Sequence, residues 1–238
     1  MKLQGSGVLI TGASRGLGRA LALELAGKGA RVVLVARGGG ALREVEQEIR
    51  KRGGQAFTIE ADVADKNRVY EIAALAQQYA GPISAVVHAA SSLGPVPLRA
   101  LADTDCEDLE AVLAANLVGP FRLTKALLGS MQLRGDGIVM SISSDAAVEA
   151  YPTWGAYSVS KIALDHLMRV WSAESPAVQF LSLDPGEMDT QMHADAIPDA
   201  DRSTLQRPED VARKVVRVLE SASNWKSGAR ILASAVLL

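Results

Sequence analysis

The chain has 238 residues, 48% hydrophobic and 22% charged, enough for one large α/β domain or two small ones with a full core. Its net charge of −2 gives no basis for a nucleic-acid partner or an anionic membrane. A lone cysteine, Cys106, excludes an intrachain disulfide, fits a reducing compartment, and is expected to be a plain, partly buried thiol.

Short β-branched runs alternate with longer helical patterns along the whole chain. "VLIT" (8–11) precedes "LGRALALELAGKG"; "RVVLVA" (31–36) precedes "ALREVEQEIRKRG"; "AFTIEA" (56–61) precedes "KNRVYEIAALAQQYA". "ISAVVHA" (83–89) precedes a long helix across roughly 105–132, and "GIVMSIS" (137–143) precedes a helix through 155–172. "VQFLSL" (178–183) leads into a loop and then "PEDVARKVVRVLE", and "ARILAS" (229–234) is the seventh strand. The strand runs are apolar throughout rather than alternating, as in strands covered on both faces. Strand–helix alternation predicts a Rossmann-like, doubly wound parallel sheet of about seven strands, three layers α/β/α, in a single domain over 1–238. The stretch 187–207 has no clear element and is expected to be a substrate loop; residues 92–100 and 145–155, where "SSLGPVPL" and "AYPTW" are apolar with an aromatic, are expected to help set the substrate. The start, "MKLQGSGVLITG", lacks the apolar stretch of a signal peptide. No run approaches the roughly 18 apolar residues of a spanning helix. A soluble, cytoplasmic chain is therefore expected.

"TGASRGLG" (11–18) joins the first strand to the first helix. Gly12 permits a tight turn, Gly16 lets the backbone approach a pyrophosphate, and Gly18 lets the helix pack on the strand. Free N–H groups at the helix start then face phosphates. The spacing is G-x-x-x-G-x-G, and its place between strand and helix is what makes it a nucleotide signal. The end of the second strand reads Ala36-Arg37, with no carboxylate to accept from a ribose 2′-hydroxyl. Arg37, with Arg15 from the loop, can instead pair with a 2′-phosphate. NADP(H) is therefore expected over NAD; the bland alternative is two solvated arginines.

Tyr157 and Lys161 stand four apart, so in a helix they share a face. A phenol titrates near 10, and a fixed ammonium nearby is expected to lower that value, with the positive ring of an oxidised nicotinamide acting in the same direction. Tyr157 can then give a proton to a carbonyl oxygen or remove one from an alcohol. Ser144, thirteen residues earlier and just past the fifth strand, can hydrogen-bond the same oxygen. Without the glycine loop the pair would read as a half-buried tyrosine beside a snorkelling lysine.

With the loop, the set resembles the short-chain dehydrogenase/reductase family. The resemblance spans nearly the whole chain: "TGASRGLG", "DV" at 62–63, "AAN" ending at Asn116, "SISS" at 141–144, "YSVSK" at 157–161 and "DPGEMDT" at 184–190. It implies a catalytic set of Asn116, Ser144, Tyr157 and Lys161. It implies a cofactor held by Gly12, Ser14, Arg15, Gly16, Leu17 and Gly18, with Asp62 on the adenine amino group and Val63 beside the ring. Ala89 and Ala90 would pass close to the adenosine ribose, and Lys161 would hold the nicotinamide ribose. Pro185, Gly186, Met188 and Thr190 would line the carboxamide. It also implies a homodimer or homotetramer paired through the helices at about 105–132 and 155–172.

Asn116 has a reading of its own. Pro120 lacks an N–H, which would free the carbonyl of residue 116 to anchor a water on a proton relay; a simple kink is the alternative. One departure concerns the fourth strand, where the family usually has Asn-Asn-Ala-Gly and this chain has His88-Ala89-Ala90-Ser91. His88 is read as structural. His166 reads as a core or interface histidine and His193 as an exposed loop residue, with contact to substrate as its alternative. The combined expectation is an NADPH-dependent oxidoreductase acting between carbonyl and alcohol on a small, fairly apolar substrate, with no metal. An NADP-binding sensor without turnover is the alternative. An extended-branch epimerase is disfavoured, because the seventh strand leaves no room for a larger C-terminal region.

Overall fold

The computed structural model describes residues 1–238. Seven strands form one parallel sheet in the order β3-β2-β1-β4-β5-β6-β7. They are β1 (Gly7–Thr11), β2 (Arg31–Ala36), β3 (Gln55–Glu60), β4 (Ile83–His88), β5 (Ile138–Ile142), β6 (Gln179–Asp184) and β7 (Ala229–Leu232). The helices are α1 (Gly16–Gly27), α2 (Gly39–Lys51), α3 (Val69–Ala80), α4 (Cys106–Leu113), α5 (Gly119–Arg134), α6 (Gly155–Glu174), α7 (Gln191–Ala196) and α8 (Pro208–Glu220).

Strand alternation divides the core into two layers. Val8, Ile10, Val32, Leu34, Met140, Leu183 and Ile231 pack with α1, α2 and α8. Leu9, Val33, Val35, Val86, Val139 and Phe180 pack with α3, α5 and α6. Both faces are covered, which is why the central strands carry apolar residues on both faces. Strand order reverses between β1 and β4, so a crevice opens outside the carboxyl ends of those strands, where ligands of such sheets bind.

Several elements differ from the sequence reading. The helix expected across 105–132 is α4, a π turn over Ala114–Val118, and α5. Pro120 lies at the start of α5, where its missing N–H costs little. The Gly119 N–H reaches back five residues to the Ala114 carbonyl, so a π turn rather than a kink accommodates the proline. By length and composition the run Cys106–Arg134 is apolar enough to cross a membrane, contrary to expectation. Its apolar residues Leu123, Leu127, Leu128 and Met131 belong to the core beneath the sheet. The region 187–207 contains α7, a 3-10 turn at Arg202–Thr204 and a bridge between Met188 and Gln206. Strand β7 stops at Leu232 because residues 233–235 turn into a 3-10 helix. Cys106 is exposed at the first turn of α4 rather than partly buried.

Candidate active site

The crevice is a cavity of about 1330 Å³. Its floor is the glycine loop. Gly12 has φ +69°, and a Cβ there would lie 2.7 Å from the Ala90 nitrogen. The turn and the close approach to β4 both require glycine. A Cβ on Gly18 would overlap the Gly12 carbonyl oxygen, so α1 packs directly on the loop. Gly16 differs: it has φ +54° and meets nothing nearer than Thr190 Cγ2 at 3.5 Å. The residue before α1, Arg15, gives no side-chain cap, so the first N–H groups of the helix have no such acceptor and face the cavity. A phosphate fits this cradle, which a side chain at position 16 would fill.

Ser14, Leu17, Arg37, Asp62, Val63, Ala89 and Ala90 line the same cavity. Asp62 accepts from the Ala64 N–H at 2.9 Å through Oδ1 alone. Arg15 and Arg37 are both exposed. Pro185, Gly186, Met188 and Thr190 close the opposite wall. Thr190 caps α7 through the His193 N–H.

Tyr157 and Lys161 face the cavity from α6, both buried, with Nζ 5.3 Å from the centre of the phenol ring. Lys161 Nζ donates to the Ile142 carbonyl at 2.8 Å. The electrostatics run against the sequence expectation. Burial pushes the Tyr157 phenol up to about 12, the Ser144 and Ser91 hydroxyls oppose that rise, and the charges of Asp145 and Asp184 add to it. Burial pulls Lys161 down to about 8, with Asp165 opposing. Spacing on a helix reports that the two groups meet; it does not report that both leave water, which outweighs their mutual effect here.

Ser144 lies in the same cavity, and its hydroxyl donates to Asp145 Oδ1 at 2.8 Å. Asp145 Oδ2 accepts from the Tyr151 phenol at 3.0 Å. Asn116 is almost fully buried. Its Oδ1 accepts from the Ser92 N–H, and its Nδ2 donates to the Ser92 carbonyl and to Ser160 Oγ, all between 2.8 and 2.9 Å. The side chain therefore clamps the segment after β4 onto α6. Its main chain lies in the π turn.

Of the three histidines, His88 matches its reading and His193 does not. His88 is structural in its contacts: buried, it bonds Thr124 Oγ1 through Nε2 at 2.9 Å and so ties β4 to α5. His166 is exposed, not core. His193 is held in α7, 12% exposed, 3.5 Å from Glu187, and lines the cavity. Sequence reasoning did not single out Ser91, whose buried hydroxyl sits beside the Tyr157 phenol, and it reached Asp145, Tyr151 and Trp154 only as part of the stretch 145–155. The rings of Tyr151, Trp154 and Tyr157 stack edge to face in sequence. The only signal for them was the aromatic content of "AYPTW".

Known proteins share this fold. The family model "short chain dehydrogenase" matches residues 6–201. A 7alpha-hydroxysteroid dehydrogenase of Escherichia coli is 27% identical, over 96% of this chain and 92% of that protein. A sepiapterin reductase of Chlorobaculum tepidum is 33% identical, over 88% of each. Among solved structures, a short chain dehydrogenase from Shigella flexneri complexed with NADP superposes with a TM-score of 0.89 at 27% identity, covering 98% of both chains. A 7 alpha-hydroxysteroid dehydrogenase complexed with NADH and 7-oxo glycochenodeoxycholic acid gives 0.88 at 25% identity, covering 97% of this chain and 94% of that one. The seven-stranded sheet, the glycine cradle under α1 and the family match together establish that this chain belongs to the short chain dehydrogenase family.

Proposed function

We propose that the chain is an NADP(H)-dependent oxidoreductase interconverting a carbonyl and an alcohol. The observation that carries this is the convergence of Tyr157, Lys161 and Ser144 on one cavity with the glycine cradle of α1. A bound nicotinamide cofactor supplies or accepts the hydride. Tyr157, with its phenol pushed up to about 12, carries its proton at neutral pH and is an acid ready to protonate a carbonyl oxygen; in the reverse direction it takes the alcohol proton. Ser144 and Ser91 hydroxyls flank that oxygen and hold its developing charge. Lys161, tied to the Ile142 carbonyl, keeps a cation beside the phenol and is placed to hold the cofactor ribose. Asn116 contributes through the segment it clamps and through its main-chain carbonyl.

Cofactor preference rests on Arg37 and Arg15. Both are exposed, neither has a carboxylate partner, and both border the cavity. Relatives are divided, one solved with NADP and another with NADH, so these two guanidinium groups carry the assignment. The substrate end is walled by Leu93, Trp154, Met192 and Ile197, with the Asp145 carboxylate beside Ser144. These favour a compact, fairly apolar ketone or aldehyde without a carboxylate of its own. Exposed Phe121, Val159, Ile162 and Val170 on α5 and α6 support pairing of two copies there.

The test is oxidation of NADPH with a panel of ketones, aldehydes and diketones. Turnover should disappear in Tyr157→Phe while NADPH still binds. Arg37→Asp should reverse the NADPH over NADH ratio. Turnover that survives Tyr157→Phe, or a cofactor ratio unmoved by Arg37→Asp, overturns the corresponding assignment.

A further inference from the structure

On the sheet face covered by α6, the apolar row ends abruptly at the carboxyl ends of the last three strands. Val139 and Phe180 are followed, two residues on, by Ser141 and Ser182, and then by Ser143 and Asp184. Arg230 of β7 is in register with Ser182, so strand alternation points all of these side chains to one face. Ser141 Oγ donates to Ser182 Oγ at 3.0 Å.

Arg230 is the hub of this polar cluster. Its Nη2 donates to Asp184 Oδ2 at 2.6 Å and to the Ser144 carbonyl at 2.9 Å. Its Nε lies 3.3 Å from Asp165 Oδ2, which also accepts from Ser143 Oγ at 2.6 Å. The other oxygen of Asp184 accepts from the Gly186 N–H at 2.9 Å. Asp165 lies one helical turn beyond Lys161. The side chains of Arg230, Asp165 and Asp184 are only 17%, 1% and 7% exposed.

We propose that Arg230 is a positioning residue for the reacting groups: one guanidinium on the last strand holds the main chain of Ser144, the turn at Asp184–Gly186 and the carboxylate of Asp165, and so fixes Ser144 and balances the charge beneath Lys161. This rests on the function proposed above and adds a residue that lies outside every motif of the sequence. The nearby charges are two cations, Lys161 and Arg230, and two carboxylates, Asp165 and Asp184. Lys161 also meets the Tyr157 ring and the Ile142 carbonyl, and Asp145 lines the same cavity, where its charge acts on the phenol. A guanidinium suits the task because its planar fork serves several acceptors at once, where an ammonium is a point charge. Deleting Arg230 leaves two carboxylates against one cation. The uncompensated charge then favours protonated Lys161 and protonated Tyr157, both of which Asp165 or Asp184 already push in that direction. Deleting the charge of Asp165 acts in the opposite sense.

The experiment has two readouts. The first is the titration of the Lys161 side chain by 13C NMR in the cofactor-free protein, assigned by its loss in Lys161→Met. The parent should titrate near 8, Arg230→Gln at higher pH and Asp165→Asn at lower pH, with Arg230→Lys close to the parent. The second is steady-state kinetics with the carbonyl substrate found in the panel. Loss of the Ser144 anchor should lower kcat on the order of 10²-fold in both Arg230→Gln and Arg230→Lys, with the KM for NADPH little changed. A purely structural staple would lower thermal stability while leaving the Lys161 midpoint and kcat in place, and that result overturns the proposal. So does a midpoint that moves in the same direction in Arg230→Gln and Asp165→Asn. If Arg230→Gln does not fold, Arg230→Lys carries the decision: kcat equal to the parent's refutes the anchoring role. If the parent shows no turnover with any carbonyl, the proposed function fails, and the NMR titration still decides whether Arg230 sets the charge on Lys161.

Discussion

Acid should destabilise this protein through His88, and the size of the effect comes from its surroundings. The imidazole is buried between β4 and α5, with Nε2 on Thr124 Oγ1 and Nδ1 without a partner. Burial pulls its pKa from 6.5 to about 3. Protonation would add a second N–H with no acceptor and a charge with no carboxylate against it. The folded chain therefore keeps His88 neutral across most of the acid range, whereas the unfolded chain takes up a proton below 6.5. The stability tied to this group is present above pH 6.5 and is lost as pH falls from there toward 3. Integrating that difference from pH 7 to pH 5 gives a loss of about 2 kcal/mol, or about 4 to 8 °C in Tm for a chain of this size. The perturbation is His88→Gln, whose amide can still reach Thr124 but does not titrate. Thermal or urea unfolding of both proteins at pH 7, 6 and 5 isolates this contribution, because all other groups cancel in the difference. His88→Gln should begin less stable, from lost ring packing, and close the gap by about 2 kcal/mol at pH 5. Parallel curves for the two proteins would refute the reasoning and mean that His88 finds a compensating partner when charged.

Two other perturbations separate roles that lie close together. Asn116→Leu keeps the volume but strands the Ser92 N–H and the Ser92 carbonyl, while Ser160 Oγ keeps its bond to the Tyr157 carbonyl; it should cost about 2 to 4 kcal/mol in urea unfolding, since each buried orphan costs about 1 to 3 kcal/mol and part relaxes. Gly18→Ala should lower Tm, because its Cβ overlaps the Gly12 carbonyl. Gly16→Ala should instead lower NADPH affinity in a fluorescence titration, with about 1 kcal/mol lost from the positive φ. Equal loss of stability and equal affinity in the two glycine variants would contradict the cradle described at α1.

What could be read from the sequence, and what could not, divides along physical lines. The strands were legible because both faces of the sheet are buried, so the interiors of "RVVLVA" and "ISAVVH" carry apolar residues on both faces instead of alternating with polar ones. The glycine loop was legible because backbone geometry demands a residue type: Gly12 and Gly18 touch main chain where a Cβ has no room. The meeting of Tyr157 with Lys161 follows from helical period alone. The π turn left no such mark, since Pro120 is equally compatible with a kink and with the first turn of a new helix. Helix α7 is six residues capped by Thr190, too short for a periodic signal to rise above the loop around it. Cys106 was misplaced, and His166 lies outside the core, because a single residue on an amphipathic helix can face either way.

The direction of the phenol's shift is the more instructive failure. Reading i and i+4 as a charge pair assumes that Coulomb attraction is the largest effect, and for two solvated groups it would be. Inside the cavity wall, desolvation acts separately on each partner and works against each charge, raising one group and lowering the other. A pattern in one helix cannot report on the walls supplied by the other segments around it. Arg230 was invisible for the same reason. Its alternation within "ARIL" says which face it takes, but its importance lies in Asp165 of α6, Asp184 of β6 and the Ser144 carbonyl after β5, three segments brought together only when the sheet closes over α6. The chemistry-bearing residues of this chain are thus visible one by one in the sequence, whereas the charge state in which they work is a property of the assembled layers.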